Sequence, residues 1–242
     1  MNDTKSRVEK QVHLFLIHGI AREVNAQTYY NDLVNGIRKE LPVDFDLRIH
    51  PIDHSHLLRE KENKIFSWFK DDWYQGLRRW ACDYICDIIA LSPTENMDAD
   101  NFYFQVIKLI EDRYDEVAKQ HPDSCKVVFG HSLGSEIGLI FAHRRPLTHL
   151  LTCGSPINYF AVRFPGFGKY PKDLKAWTNF HYRQDLVSGR VRKNPNFQLD
   201  CVEDVVLPIY NPNHWRPTKA HTKFWTDGRM HSKIASILKC LA

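Results

Sequence analysis

What this sequence lacks narrows what it can be. No apolar run approaches the roughly 20 residues that a membrane-spanning helix needs. No block of like charge exists. The 33 Lys and Arg and 29 Asp and Glu are spread along the chain and leave a formal charge of +4, which gives little footing for nucleic acid or an acidic membrane. There is no internal repeat and no low-complexity tract. Cysteine is sparse, with six residues scattered at 82, 86, 125, 153, 201 and 240. Three of them fall in expected core strands, so they read as reduced, buried thiols of a cytoplasmic protein. Cys82 and Cys86 share a helix face, but no second ligand pair accompanies them, so the four ligands of a structural zinc site are missing. The polar start, "MNDTKSRVEKQ", leads into a short apolar run that holds two histidines and a glycine and has no small-residue cleavage site. That is a poor signal peptide.

What is present fits a single domain over 1–242. Hydrophobic residues make up 43% and charged residues 26% of 242, ordinary globular usage and enough chain for a substantial core. "VHLFLIHGI" (12–20), "CKVVFG" (125–130) and "LTHLLTCGSP" (147–156) are short continuous apolar runs, the look of strands buried on both faces. "FDLRIHPID" (45–53), "AWTNFHYRQD" (176–185) and "VEDVVLPI" (202–209) are further strand candidates. Helical spacing marks 28–41, 99–119, 133–145 and 228–241, and 157–175 reads as loop. Alternating strands and helices predict an α/β architecture, a mostly parallel sheet of about six strands covered on both faces. A helical stripe of Phe66, Phe69, Trp73, Leu77, Trp80, Tyr84 and Ile88 stands apart within 54–100. It reads as a cap or lid-like insertion. The alternatives are an ordinary core helix or, over 64–92, a membrane-facing surface.

The stretch "VVFGHSLGSE" (127–136) carries the chemistry. Gly-X-Ser-X-Gly between a buried strand and a helix is the spacing of a nucleophile elbow, a tight turn that pushes the serine hydroxyl out of the sheet. Ser132 is therefore the candidate nucleophile. A serine hydroxyl is inert at neutral pH without a base, a group to orient that base, and donors for the developing oxyanion.

On "GHSLG" (130–134), "LIHGI" (16–20), "TCGSPI" (152–157), "NFHYRQDLVSG" (179–189) and "AHTKFWTD" (220–227), the chain resembles the α/β-hydrolase superfamily, on its lipase and esterase side. The resemblance implies that fold, with the early antiparallel strands of longer members lacking. It implies an order of serine, acid and histidine along the chain, and oxyanion donors at the backbone N–H groups of Ile20 and Leu133.

Thirteen histidines compete for the base. His221 follows the last expected strand and matches the family-like His-X-X-aromatic-Trp pattern, with His214 second. His131 reads as packing or pocket lining, and His231 as held inside the last helix. His50, His54 and His56 read as loop residues. The acid belongs on the loop after the strand before the last one, where Asp185 sits. Asp200 and Asp204 flank a later strand and are less well placed, and Glu136 reads as structural. The function implied is a serine hydrolase acting on small-molecule or lipid acyl esters without metal or organic cofactor. Alternatives are a membrane-associated phospholipase or protein deacylase, and a non-catalytic binding protein of the same fold.

Overall fold

The computed structural model describes residues 10–19, 29–54, 57, 102–163, 169–185, 187–208, 220–221 and 223–242. The aromatic stripe at 64–92, nearly all of the 54–100 insertion, Cys82, Cys86, Ile20, His56 and His214 lie outside them.

Among the described residues, six strands form one sheet: β1 (Val12–Ile17), β2 (Leu47–Ile52), β3 (Cys125–His131), β4 (His149–Cys153), β5 (Trp177–Tyr182) and β6 (Val202–Leu207). Their order is β2-β1-β3-β4-β5-β6, and every pairing is parallel. A parallel sheet has helices on both faces, so its central strands must be apolar on both sides. Every residue of β1, β3, β4 and β5 is buried. The edge strand β2 alternates instead and carries an exposed Pro51, a residue that cannot donate to a further strand.

The helices divide between the two faces. Helices α1 (Asn31–Glu40) and α5 (Gly228–Leu241) cover one face. Their Leu33, Ile37, Met230, Ile234 and Leu238 pack with Leu14, Leu16, Val127, Phe129 and Phe180. Helices α2 (Phe102–Gln120), α3 (Leu133–Arg144) and α4 (Ile157–Arg163) cover the other. Val106, Ile110, Ile137, Phe141 and Phe160 pack there with Phe15, Ile17, Val128, Leu150 and Trp177. Residues 133–142 of α3 are all buried, because sheet, α2 and α4 enclose the helix. That explains its lack of an amphipathic pattern.

Two expectations need correction. The stretch 157–175 is not all loop, since it opens with α4. Pro156 starts that helix by accepting from the Tyr159 N–H at 2.8 Å, and Ile157 and Phe160, three apart, give it a buried stripe. His50 is not a loop residue. It lies inside β2, is 8% exposed, and hydrogen-bonds His13 at 2.8 Å. Cys125 and Cys153 are buried strand thiols, whereas Cys201 precedes β6 and is half-buried.

Glu136 is an anomaly within α3. It is 1% exposed, and neither carboxylate oxygen has a hydrogen-bond partner among the described residues. Burial pushes its carboxyl well above the ordinary glutamate value, which favours the protonated form in the folded protein. The sign follows: the folded state binds more protons than the unfolded one, and stability falls as pH rises from the ordinary value towards the raised one. Glu136→Met keeps the length and helix propensity and removes that cost. We expect it to raise unfolding free energy at pH 7 by about 1–3 kcal/mol, with a smaller gain at pH 5. Urea unfolding at the two pH values checks this. A loss of stability at pH 7 would mean that the carboxylate serves a partner.

Candidate active site

The elbow forms because β3 and α3 are joined with no intervening residue except Ser132. That serine adopts φ 53°, ψ −126°, and it is the one described non-glycine residue with positive φ. The conformation is costly for a residue with a side chain, by about 1–3 kcal/mol. The flanking glycines permit the tight path. A Cβ on Gly134 would stand 2.2 Å from the Ile17 carbonyl oxygen, and one on Gly130 would stand 2.3 Å from that of Gly134. Serine backbone N–H and C=O are both used: the N–H donates to Cys153 O at 2.9 Å, and the C=O accepts from Ser135 N at 2.9 Å.

Three residues distant in sequence converge on this turn. His221 Nε2 lies 2.9 Å from Ser132 Oγ, and His221 Nδ1 lies 3.0 Å from Asp185 Oδ2. Asp185 stands on the turn after β5, with its backbone N–H on Tyr182 O at 3.2 Å. Its carboxylate also accepts from the Val187 N–H at 2.9 Å and the Ser188 hydroxyl at 2.8 Å. Burial opposes charge on Asp185, but the His221 ring and these two donors outweigh it and hold the carboxyl below the ordinary aspartate value. An ionised Asp185 fixes the tautomer: Nδ1 of His221 carries the proton, and Nε2 is free to accept one from the serine.

The acid loop has its own anchor. Asp204, inside β6, accepts from the Val191 and Arg192 N–H groups at 2.9 and 3.0 Å and from Asn179 Nδ2 at 2.9 Å. Asn179 in turn donates to Gly189 O and accepts from Thr152 Oγ1, which accepts from Trp177 Nε1. Asp204 is thus a scaffold for residues 189–192, directly and through Asn179.

On the other side of Ser132, Gly19 closes in. A Cβ there would stand 2.7 Å from Ser132 Cβ and 3.2 Å from Leu133 N. Leu133 is the first residue of α3, where a backbone N–H has no intrahelical acceptor. His18 Nδ1–H donates to the Gly19 carbonyl at 2.6 Å, and the His18 ring stacks on His54 with centroids 4.0 Å apart. Burial holds His18 below the ordinary histidine value. Neither the Asn179–Asp204 network nor the His18–His54 stack was foreseen, since each joins side chains with no periodic relation.

His131 and His231 fall in different places. His231 Nε2–H donates to Trp225 O at 2.9 Å, inside α5 and away from the serine. His131 is more than packing: its Nε2–H donates to the backbone carbonyl of His221 at 2.9 Å. Among the described residues, no group of three or more His, Cys, Asp or Glu side chains is placed to hold a metal ion. No described helix is long and apolar enough to cross a membrane.

No sequence-family model matches the chain, and no curated protein does. Solved structures do resemble it. An alpha-beta serine hydrolase homologue from Coxiella burnetii superposes with a TM-score of 0.52 at 12% identity, over 96% of this chain and 85% of that one. Est1E from Butyrivibrio proteoclasticus gives 0.54 at 12% identity, over 98% and 91%. The esterase domain of a Rhodothermus marinus protein gives 0.50 at 12%, over 97% and 88%. With six parallel strands, helices on both faces and a strained serine at the β3–α3 turn, this chain has the α/β-hydrolase fold.

Proposed function

We propose that the protein is a serine hydrolase that cleaves carboxylic esters through an acyl-enzyme intermediate. One observation carries the reading: a strained elbow serine whose hydroxyl meets a histidine at 2.9 Å, with that histidine held by a buried carboxylate at 3.0 Å. A structural serine needs no such chain, and a purely structural turn would use glycine at positive φ. The neighbours named as a serine hydrolase homologue and an esterase domain support the same reading.

The steps follow from the atoms. Ser132 Oγ attacks the acyl carbonyl as its proton passes to His221 Nε2. Asp185 stays ionised and stabilises the imidazolium. The carbonyl oxygen, now negative, takes the backbone N–H of Leu133, with the Ile20 N–H as the second donor that the α/β-hydrolase resemblance implies. The tetrahedral adduct collapses, and the C–O bond to the alcohol breaks as His221 returns the proton to the leaving oxygen. Water then adds to the acyl-serine by the same relay, releasing the acid and restoring the hydroxyl. None of these steps calls for a metal or an organic cofactor.

Turnover on a series of chromogenic esters, from acetyl to palmitoyl, tests the proposal. Hydrolysis by the wild type that is lost in Ser132→Ala supports it. Equal rates of hydrolysis for the two proteins contradict it, and no turnover with any ester contradicts it and favours a binding protein of the same fold. A preference for long acyl chains, together with sedimentation on liposomes, would instead point to a lipid ester at a membrane surface.

A further inference from the structure

His131 takes no part in the proton relay, yet it is bonded to it. It is the last residue of β3, directly before the nucleophile, and is 3% exposed. A carbonyl is its partner at Nε2, so Nε2 carries the proton and Nδ1 does not. The Tyr29 hydroxyl faces Nδ1 at 3.4 Å and donates to it. The imidazole is wedged between the His221 ring, with centroids 5.0 Å apart, and the Trp225 ring, at 4.6 Å. Tyr29 packs edge-on to the same Trp225 at 4.9 Å. One strand end thus touches the base twice: Ser132 meets the tip of its ring, and His131 meets its main chain.

We infer that His131 is a positioning residue for the base, its Nε2–H fixing the His221 carbonyl and so the backbone from which the imidazole reaches Ser132. The assignment rests on the serine-hydrolase reading above. The physical need is clear. The His221 ring must keep two hydrogen bonds at once, one to Ser132 and one to Asp185. Displacement of a reacting group by about 1 Å can cost about 100-fold in rate. Burial pushes the His131 ring down to about 3. It therefore stays neutral across the working range and adds no charge beside a base that must accept a proton.

The test compares the rate of phosphonylation by a small fluorophosphonate for wild type, His131→Leu, His131→Gln and His131→Asn. Steady-state ester kinetics and unfolding midpoints accompany it. His131→Leu fills the space without a donor. It is expected to slow phosphonylation and kcat by about 10- to 100-fold with KM little changed. Gln places its amide nitrogen at the depth of Nε2 and should recover to within about threefold of wild type. Asn stops at the depth of Nδ1 and should stay slow. If the Leu variant fails to fold, the Gln and Asn pair, matched in polarity, carries the comparison. A wild type that takes no label overturns the serine-hydrolase reading and this assignment with it. A labelled wild type matched in rate by Leu overturns the assignment alone. So do Gln and Asn variants that are equally slow with equally lowered unfolding midpoints, since ring packing would then explain the loss.

Discussion

Ser132→Ala is expected to lower kcat on a chromogenic ester by about a millionfold, and Asp185→Asn by only about ten-thousandfold. The difference follows from what each group does. In the proposed mechanism, removing Oγ removes the atom that forms the acyl bond, and whatever rate remains comes from water and the oxyanion donors. Asp185→Asn leaves nucleophile and base in place. Its amide, still facing Val187 N–H and the Ser188 hydroxyl, would turn a donor towards His221 Nδ1. The base would then be pushed to the wrong tautomer, with the proton on Nε2, where the serine needs an acceptor. His221→Ala should match Ser132→Ala, and the double variant Ser132→Ala/His221→Ala should be no worse than either single one, because the groups act as a unit. Steady-state kinetics with stopped-flow sensitivity checks all four. Additive losses in the double variant would mean that serine and histidine serve separate steps.

The second large effect is acid unfolding, and it arises far from the serine. His13 and His50 sit in a chain of hydrogen bonds whose direction is forced. Arg113 Nε can only donate, and it donates to His50 Nδ1 at 3.2 Å. His50 Nε2–H therefore donates to His13 Nδ1 at 2.8 Å, and His13 Nε2–H to Gln11 Oε1 at 2.6 Å. Gln11 Nε2 donates to Asp46 at 2.5 Å. A proton added to His13 or His50 would set N–H against N–H. Burial pushes both rings down to about 4, with the His121 ring, nearby Lys126 and Arg48 adding to it at His13, and Arg113 adding to it at His50. Asp46 and Glu116 oppose the shift without reversing it. Burial does the same to His149, down to about 4, where its Nε2 meets Thr178 Oγ1 at 2.9 Å. His131 is lower still, at about 3.

Each of these values lies below that of a free histidine, so the unfolded chain binds more protons than the folded one. Their contribution is intact above about pH 6.5 and is lost as pH falls through about 4. Each of the four gives a slope of up to about 1.4 kcal/mol per pH unit, so together they give several kcal/mol per unit, with His18 adding in the same direction and Glu136 opposing. A domain of ordinary stability, about 5–15 kcal/mol, should therefore unfold between about pH 4 and 5.5. Urea midpoints measured from pH 7 to 4.5 should fall steeply. His149→Gln, which can still bond Thr178, should make the fall shallower by up to about 1.4 kcal/mol per pH unit. A flat profile down to pH 4.5 would mean that the buried rings accept protons without loss.

Both effects bear on how much the sequence disclosed. The elbow was readable because its chemistry is local: an apolar run, two glycines four apart and a helix must be adjacent in the chain. Helix α5 was readable over 228–241 because Met230, Ile234 and Leu238 recur at helical spacing on one buried face. Ser132 could be singled out by its place between strand and helix, and Asp185 and His221 by position together with the α/β-hydrolase resemblance; the three side chains lie 2.9 and 3.0 Å apart in turn. What escaped was of two kinds. Helix α4 has only seven residues, too few for a periodic signal above the proline and aromatics around it. The pairs His13–His50, His18–His54 and His131–His221 join residues 36 to 90 positions apart. Nothing local marks such pairs, because sheet register and loop closure bring them together. His131 shows the limit best: its neighbour in sequence made it look incidental, while its hydrogen bond reaches the main chain of the proposed base.

The most direct measurement of the central claim is the intact mass of the protein after exposure to a fluorophosphonate, followed by peptide mapping. The account predicts a single phosphonyl adduct, carried on Ser132, absent from Ser132→Ala and all but absent from His221→Ala. A folded wild type that takes no adduct, or one that takes it equally after Ser132 has been replaced, would contradict it.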